Sequence, residues 1–148
     1  LDGATVLAII WGASSFGRIG MGHLIDLMGN RTTFIASFCM TTVSLFLALL
    51  AKDLWMLYSF ALLFGLAWGN QAVLRFSVAS ETFGLASLGL IVGVLGIAES
   101  SSATLGAHLA GYVFDRMGHY QLVFWIGIGV SLAGALLAGL LKPKVKDR

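Results

Sequence analysis

The sequence predicts an all-α fold, a bundle of transmembrane helices, and its composition and its apolar runs support this prediction. Of the 148 residues, 58% are hydrophobic and only 11% are charged, whereas soluble domains carry about 25% charged residues. The mean hydropathy is +0.92. The apolar runs are continuous and about 20 residues long, unlike the alternating segments of about ten residues that form a transmembrane barrel. This composition excludes a soluble enzyme domain and a nucleic-acid-binding domain, and it predicts that the lipid bilayer is a partner of the chain.

Five segments are long and apolar enough to cross a bilayer. They are residues 4–22, 33–51, 54–74, 86–112 and 122–141. The fourth segment exceeds the thickness of the hydrocarbon core, so we expect it to tilt or to extend beyond the lipid. The connections are too short to hold a second domain. Because the chain starts without Met and leads straight into an apolar run, we expect it to be the trailing part of a longer protein.

The distribution of Lys and Arg predicts the orientation in the membrane. With the basic tail at residues 142–148 placed in the cytoplasm, the alternation of the spans leaves only Lys52 and Arg116 outside. The same basic residues account for the net charge of +2 without a nucleic-acid-binding patch. We therefore expect a multi-pass protein of the cell (inner) membrane with a cytoplasmic C-terminus.

Small residues recur at four-residue spacing in the last three spans, where they allow helix backbones to approach closely. The third span contains Ala61, Gly65 and Gly69, the fourth Gly89, Gly93, Gly96, Ser100, Thr104, Ala107 and Gly111, and the fifth Gly127, Ser131, Ala135 and Gly139. A general tolerance of membrane helices for glycine would also explain the pattern. Its recurrence in three spans favours a compact bundle over isolated anchors.

The first connection resembles the signature loop of the major facilitator superfamily. Residues 17–31 read GRIGMGHLIDLMGNR, and the matching positions are Gly22, Asp26, Gly29 and Arg31. Leu27 and Asn30 differ, because the family usually has basic residues there. Two further stretches, SETFG at residues 80–84 and GYVFDRMGHY at residues 111–120, are similar to those after the tenth helix and before the twelfth helix. Together the three stretches resemble monocarboxylate-type porters of that superfamily.

This resemblance implies that the five spans are helices eight to twelve of a twelve-helix transporter. The seventh helix and the N-terminal half would then be missing partners from the same protein. Such transporters bind their solute between two six-helix halves near the middle of the membrane. The chain would therefore supply only part of one wall of that site.

Glu99 is the one acidic residue near the middle of a predicted span, where it precedes a run of three serines. A carboxyl group at that depth is costly unless it is paired, protonated or exposed to water. A group that gains and loses a proton there would suit proton coupling. The alternative is a protonated Glu that packs helices together through hydrogen bonds.

Arg18 lies in the inner part of the first span, one turn before Gly22. The resemblance implies a role in substrate binding, because an Arg at the matching place in monocarboxylate porters is implicated in binding the carboxylate. The acidic residue that usually stands one turn earlier is replaced by Ser14. A guanidinium fits a carboxylate well, but Arg18 could equally anchor the end of its helix.

Asn70 and Gln71 lie near the inner end of the third span. The resemblance places them on a cavity-lining helix, where their amides could orient a substrate. Interhelical hydrogen bonds that serve packing explain them equally well.

A group of four charged residues is predicted on the cytoplasmic side. It consists of Asp26, Arg31, Arg75 and Glu81. The resemblance implies a salt-bridge cluster that holds the inner gate and opens during transport. Ordinary solvated loop charge is the alternative.

The histidines do not predict a metal site, because His23, His108 and His119 are separated in sequence and in expected depth. No nucleophile motif and no phosphate-binding loop is present. We therefore expect no catalytic residues, no cofactor and no enzymatic activity.

Two functions remain open. The first is a secondary active transporter that moves a small organic solute by alternating access. In its more specific version, the transporter moves a monocarboxylate together with a proton. The second is a membrane sensor or structural subunit that does not transport. Glu99 and the amides of the third span favour transport.

Overall fold

The computed structural model describes the backbone of residues 2–85 and 87–140. For residues 2, 21–24 and 26 within these ranges, the structure describes the backbone but not the side chains. The predicted basic tail at residues 142–148 also lies outside the described residues.

The described residues form four helices and no strand, which confirms the predicted all-α fold. The helices are α1 (Asp2–Leu50), α2 (Leu54–Phe83), α3 (Leu88–Met117) and α4 (Gln121–Leu140). Tight connections of a few residues join them, and α2 runs antiparallel to α3, because Arg75 contacts Glu99 while Phe83 and Leu90, next to the connection, line one cavity.

A break at Gly29 divides α1 into an N-terminal segment (residues 2–28) and a C-terminal segment (residues 30–50). Gly29 has φ 77° and ψ 160°, a conformation that glycine adopts without the strain a side chain would cause. Ser77 of α2 donates a hydrogen bond to Oδ1 of Asn30 at 3.0 Å and thereby ties the break to α2. The predicted first and second spans lie on the two segments.

Four stretches of the described residues are long and apolar enough to cross a membrane. They are Leu27–Leu50, Leu54–Phe83, Leu88–Met117 and Gln121–Leu140. These stretches correspond to the second to fifth predicted spans. The first predicted span, residues 4–22, is helical but is not among the four, so its membrane crossing stays a prediction.

Helix α2 continues well beyond residue 74, where the sequence predicted that the span ends. It ends at Phe83, and Gly84 follows with φ 76°. Arg75 and Glu81 therefore lie on a helix and not in a connection. The physical reason is that residues 70–83 contain no Gly or Pro that would interrupt the helical backbone.

The N-terminal segment of α1 packs closely against α2 through small residues. Ala61, Gly65 and Gly69 are all buried. A Cβ atom on Gly65 would lie 2.5 Å from the carbonyl oxygen of Ile10, and a Cβ on Gly17 would lie 2.7 Å from that of Leu66. The small-residue pattern of the third span is therefore a helix-packing surface, as predicted.

Helix α4 packs against the C-terminal segment of α1. The hydroxyl groups of Thr42 and Ser131 lie 2.5 Å apart, and Ser131 also donates to the carbonyl of Phe38 at 3.3 Å. The ring of Phe38 lies against Gly134, where a Cβ would approach it to 2.7 Å. Ser131 of the predicted pattern in the fifth span thus lies at a helix interface.

Helix α3 is the least covered helix, because none of its residues is buried by the rest of the described chain. Cβ atoms built on Gly89, Gly93, Gly96, Gly106 and Gly111 would meet nothing within 4 Å. The glycines of the small-residue pattern in the fourth span therefore have room for a side chain among the described residues, and the packing role of the pattern stays a prediction.

Candidate functional site

The clearest polar contact between α2 and α3 is an ion pair in which Nη1 of Arg75 donates to Oε2 of Glu99. At about 1.5 Å per residue, Arg75 lies about 12 Å from the end of α2 and Glu99 about 16 Å from the start of α3. Because the two helices are antiparallel, both side chains lie at a similar depth. Glu99 therefore has an opposite charge beside it within the helical bundle.

A cavity of about 180 Å³ lies beside this ion pair. Its other lining residues are Phe76 of α2 and Val92, Leu95 and Gly96 of α3. The side chains of Arg75 and Glu99 are 33% and 43% exposed, so the pair remains accessible from the cavity. The site thus combines a paired acid and base with uncharged walls.

A second cavity of about 430 Å³ lies next to the first and has Arg75 and Leu95 in common with it. Its remaining walls are apolar and come from three helices: Phe34, Val78, Ala79, Phe83, Leu90, Ile91 and Val94. Arg75 therefore lies between a small space that contains Glu99 and a larger apolar space.

The two amides predicted for substrate binding are used in contacts between helices. With its amide oriented to satisfy hydrogen bonding, Asn70 donates to the carbonyl oxygens of Gly17 at 3.0 Å and Leu66 at 3.1 Å. Nε2 of Gln71 donates to Oγ1 of Thr41 at 3.1 Å. Both amides thus join α2 to α1, and a role in substrate binding stays a prediction.

Arg18 is exposed on the N-terminal segment of α1. Trp11 lies two helical turns earlier on the same face, and its ring centroid is 5.3 Å from that of Trp68 on α2. Ser15, on the same face, donates to the carbonyl of Trp11 at 3.1 Å. Arg18 therefore belongs to an exposed surface of aromatic and polar residues, separate from the two cavities.

Residues 3–148 match the Major Facilitator Superfamily. The chain belongs to this superfamily of membrane transporters. Its long apolar helices and this membership establish an integral, multi-pass membrane protein. The family resemblance in the three sequence stretches is thereby confirmed.

Several known proteins are similar to this chain. Human monocarboxylate transporter 7 is 30% identical over 88% of the chain and 26% of the relative. An uncharacterised transporter of the superfamily from Bacillus subtilis is 28% identical over 88% of the chain and 34% of the relative. A multidrug resistance protein B homolog from Mycobacterium tuberculosis is 24% identical over 83% of the chain and 23% of the relative. The chain thus spans about a third or less of the length of these relatives.

The two arginines predicted for the inner gate make different contacts. Nη2 of Arg31 donates to the carbonyl of Gly139 at the end of α4, and Arg75 pairs with Glu99. Glu81 is exposed on the last turns of α2, and the side chain of Asp26 lies outside the described residues. The structure does not bring Arg31 and Arg75 together, and a shared gating role stays a prediction.

The ion pair between Arg75 and Glu99 was missed by sequence reasoning, which assigned Arg75 to a cytoplasmic connection. The uninterrupted helical sequence up to Phe83 is the signal that would have placed Arg75 on the same helix as Asn70. Among the described residues, no group of three or more His, Cys, Asp or Glu side chains could hold a metal ion.

Proposed function

We propose that the chain contributes helices eight to twelve of a secondary active transporter that moves a small organic solute by alternating access. The specific form that we propose is the symport of a monocarboxylate and a proton. Membership of a transporter superfamily supports the general function. The observation that carries the specific form is the carboxylate of Glu99, held within α3 beside Arg75 and a cavity.

The energetic cost of this ion pair supports a functional role. A charged side chain within the bilayer costs several kcal/mol unless it is compensated. Replacing such a pair with apolar residues of similar volume is often neutral or stabilising. Helix packing alone therefore does not require an acid and a base at this depth, whereas proton coupling requires a group that binds and releases a proton.

Two observations support a monocarboxylate as the solute. Guanidinium groups bind carboxylates through parallel hydrogen bonds, and Arg75 and Arg18 both lie on surfaces where a solute could reach them. One relative is named a monocarboxylate transporter. Another is named a multidrug resistance protein homolog. The experiment must therefore distinguish transport of a monocarboxylate from transport of a bulkier apolar solute.

The positions of the remaining charges support an orientation and a gate. We place the C-terminus in the cytoplasm of a cell (inner) membrane, because six of the eight Lys and Arg residues other than Arg75 then lie on the inner side. We assign Asp26 and Arg31 of the signature loop to the inner gate.

Transport by the full-length protein in proteoliposomes tests this function. We expect labelled pyruvate to accumulate when a proton gradient is imposed and to stop accumulating when a protonophore collapses the gradient. Substitution of Glu99→Gln keeps the shape of the side chain but removes its titration. It should abolish accumulation while exchange of labelled for unlabelled pyruvate continues.

The matched control is Asp115→Asn, which removes an exposed acid near the other end of α3. This variant should accumulate pyruvate as the unmodified protein does. Accumulation by the Glu99→Gln variant at the unmodified level would refute proton coupling through Glu99. Absence of flux for pyruvate and for bulky apolar compounds would support the sensor or structural subunit instead.

A further inference from the structure

The ion pair of Arg75 and Glu99 also indicates where the solute binds. We propose that Arg75 binds the carboxylate of the solute, and that Glu99 forms its ion pair with Arg75 while no solute is bound. Protonation of Glu99 then frees Arg75 for the solute. This inference rests on the proposed function and names a substrate-binding residue that the sequence assigned to the gate.

The small cavity holds one acid and one base, Glu99 and Arg75. Of the described residues that line the small cavity, Arg75 is the one charged group that faces Glu99 from α2. The other lining residues are Phe76, Val92, Leu95 and Gly96, and neither α1 nor α4 contributes to this cavity. The protonation state of Glu99 therefore determines whether Arg75 has a compensating charge.

The net charge of the site depends on whether a proton, an anion or both are bound. With Glu99 ionised, the pair has no net charge. Binding of a proton to Glu99 alone leaves an uncompensated guanidinium in a medium of low polarity, and binding of an anion alone leaves an uncompensated carboxylate, both of which are unfavourable. Binding of both restores neutrality. The proton and the anion therefore favour each other's binding, and this coupling is reciprocal.

Arg75 lies between the two cavities and lines both of them. A carboxylate at Arg75 can extend its apolar part into the cavity of about 430 Å³, which has Phe34, Phe83 and Leu90 among its walls. Arg18 lines neither cavity, and the amides of Asn70 and Gln71 already bond to α1. The geometry thus fits a monocarboxylate with an apolar tail better than a small hydrophilic one.

Binding to the full-length protein in detergent tests this inference, with labelled pyruvate and phenylpyruvate as probes over a series of pH values. The unmodified protein should bind both anions more tightly at lower pH, and phenylpyruvate more tightly than pyruvate. Arg75→Gln should weaken the binding at least about tenfold at every pH, because it removes a charge-assisted contact. Arg75→Lys keeps the charge but not the two parallel hydrogen bonds, so its affinity should be intermediate.

Glu99→Gln should have the opposite effect. It leaves Arg75 without its internal partner, so we expect tighter binding at neutral pH and loss of the pH dependence. A purely structural ion pair predicts that both substitutions weaken binding alike and leave its pH dependence unchanged, and this result would overturn the inference. Arg116→Gln, at the far end of α3, is the control for removing an exposed Arg and should bind as the unmodified protein does.

The two proposals fail in different ways. If the unmodified protein transports pyruvate with protons but the Arg75→Gln variant binds it within about twofold of the unmodified affinity, the inference about Arg75 is wrong and the proposed function stands. If the unmodified protein neither binds nor transports the two anions, both proposals are wrong. Thermal unfolding of each variant shows whether a loss of binding reflects a loss of folded protein.

Discussion

Gly69 of α2 lies directly against the backbone of Ser14 in α1. A Cβ atom at Gly69 would overlap the carbonyl group of Ser14, which is itself buried. Gly65 and Gly17 make similar approaches one helical turn away on each helix. The N-terminal segment of α1 and α2 therefore meet backbone to backbone, and there is no room for a side chain between them.

We predict that Gly69→Val destabilises the protein by about 1–3 kcal/mol, the usual cost of overpacking a tight interface. The expected measurement is a lower midpoint of thermal unfolding in detergent. Gly93→Val on α3 is the matched control, because a Cβ at Gly93 would meet nothing within 4 Å among the described residues. Equal midpoints for the two variants would contradict the close packing of α1 and α2.

A second prediction concerns the hydroxyl groups of Thr42 and Ser131, which join α1 to α4. Interhelical hydrogen bonds in membrane proteins have a coupling energy of about 0.6 kcal/mol on average. A double-mutant cycle with Thr42→Val and Ser131→Ala should give a coupling energy of this order in chemical unfolding. A coupling energy of zero would show that the contact does not stabilise the docking of α4.

The helical type of the long apolar segments could be predicted from the sequence, because runs of about 20 apolar residues have few other stable arrangements in lipid. The ends of the helices were harder to predict. Polar residues such as Arg75 and Glu81 suggested a connection after residue 74, but a helix backbone tolerates them as long as no Gly or Pro intervenes. The end at Phe83 is set by Gly84, which adopts a positive φ.

The candidate site was harder to predict than the fold, because it depends on which residues of different helices meet. The unusual position of Glu99 was visible in the sequence, but its partner depends on the antiparallel register of α2 and α3. Asn70 and Gln71 show the same limitation, since an amide has the same sequence signal whether it faces a solute or a neighbouring helix. In the structure both amides donate hydrogen bonds to α1, and their contact with a solute stays a prediction.

A third prediction concerns Arg31 at the end of α4. Its guanidinium donates to the carbonyl of Gly139, one of the last carbonyls of the helix, where a positive charge is favourable. Arg31→Gln should therefore increase hydrogen–deuterium exchange in the last turn of α4 and leave exchange in the middle of α2 unchanged. The control Arg116→Gln should change neither region. Unchanged exchange at the end of α4 would show that Arg31 does not hold this helix.

The last prediction separates Asn70 from Arg18, because both were predicted to bind substrate but differ in their surroundings. The amide of Asn70 donates to Gly17 of α1 and to Leu66 of its own helix, so Asn70→Ala removes one interhelical hydrogen bond and one hydrogen bond within α2. We expect it to lower the free energy of unfolding by about 1 kcal/mol. The KM of the full-length protein for the solute should then change less than about twofold.

Arg18 is exposed beside the pair of Trp11 and Trp68, so Arg18→Gln should leave unfolding unchanged within about 0.5 kcal/mol. If Arg18 contacts the solute on its way to the site, the substitution should raise KM without changing the pH dependence of transport, because Arg18 is not part of the pair that exchanges the proton. A loss of pH dependence in this variant would contradict the assignment of proton coupling to the pair of Glu99 and Arg75. If Asn70→Ala instead raises KM and leaves the free energy of unfolding unchanged, Asn70 contacts the substrate.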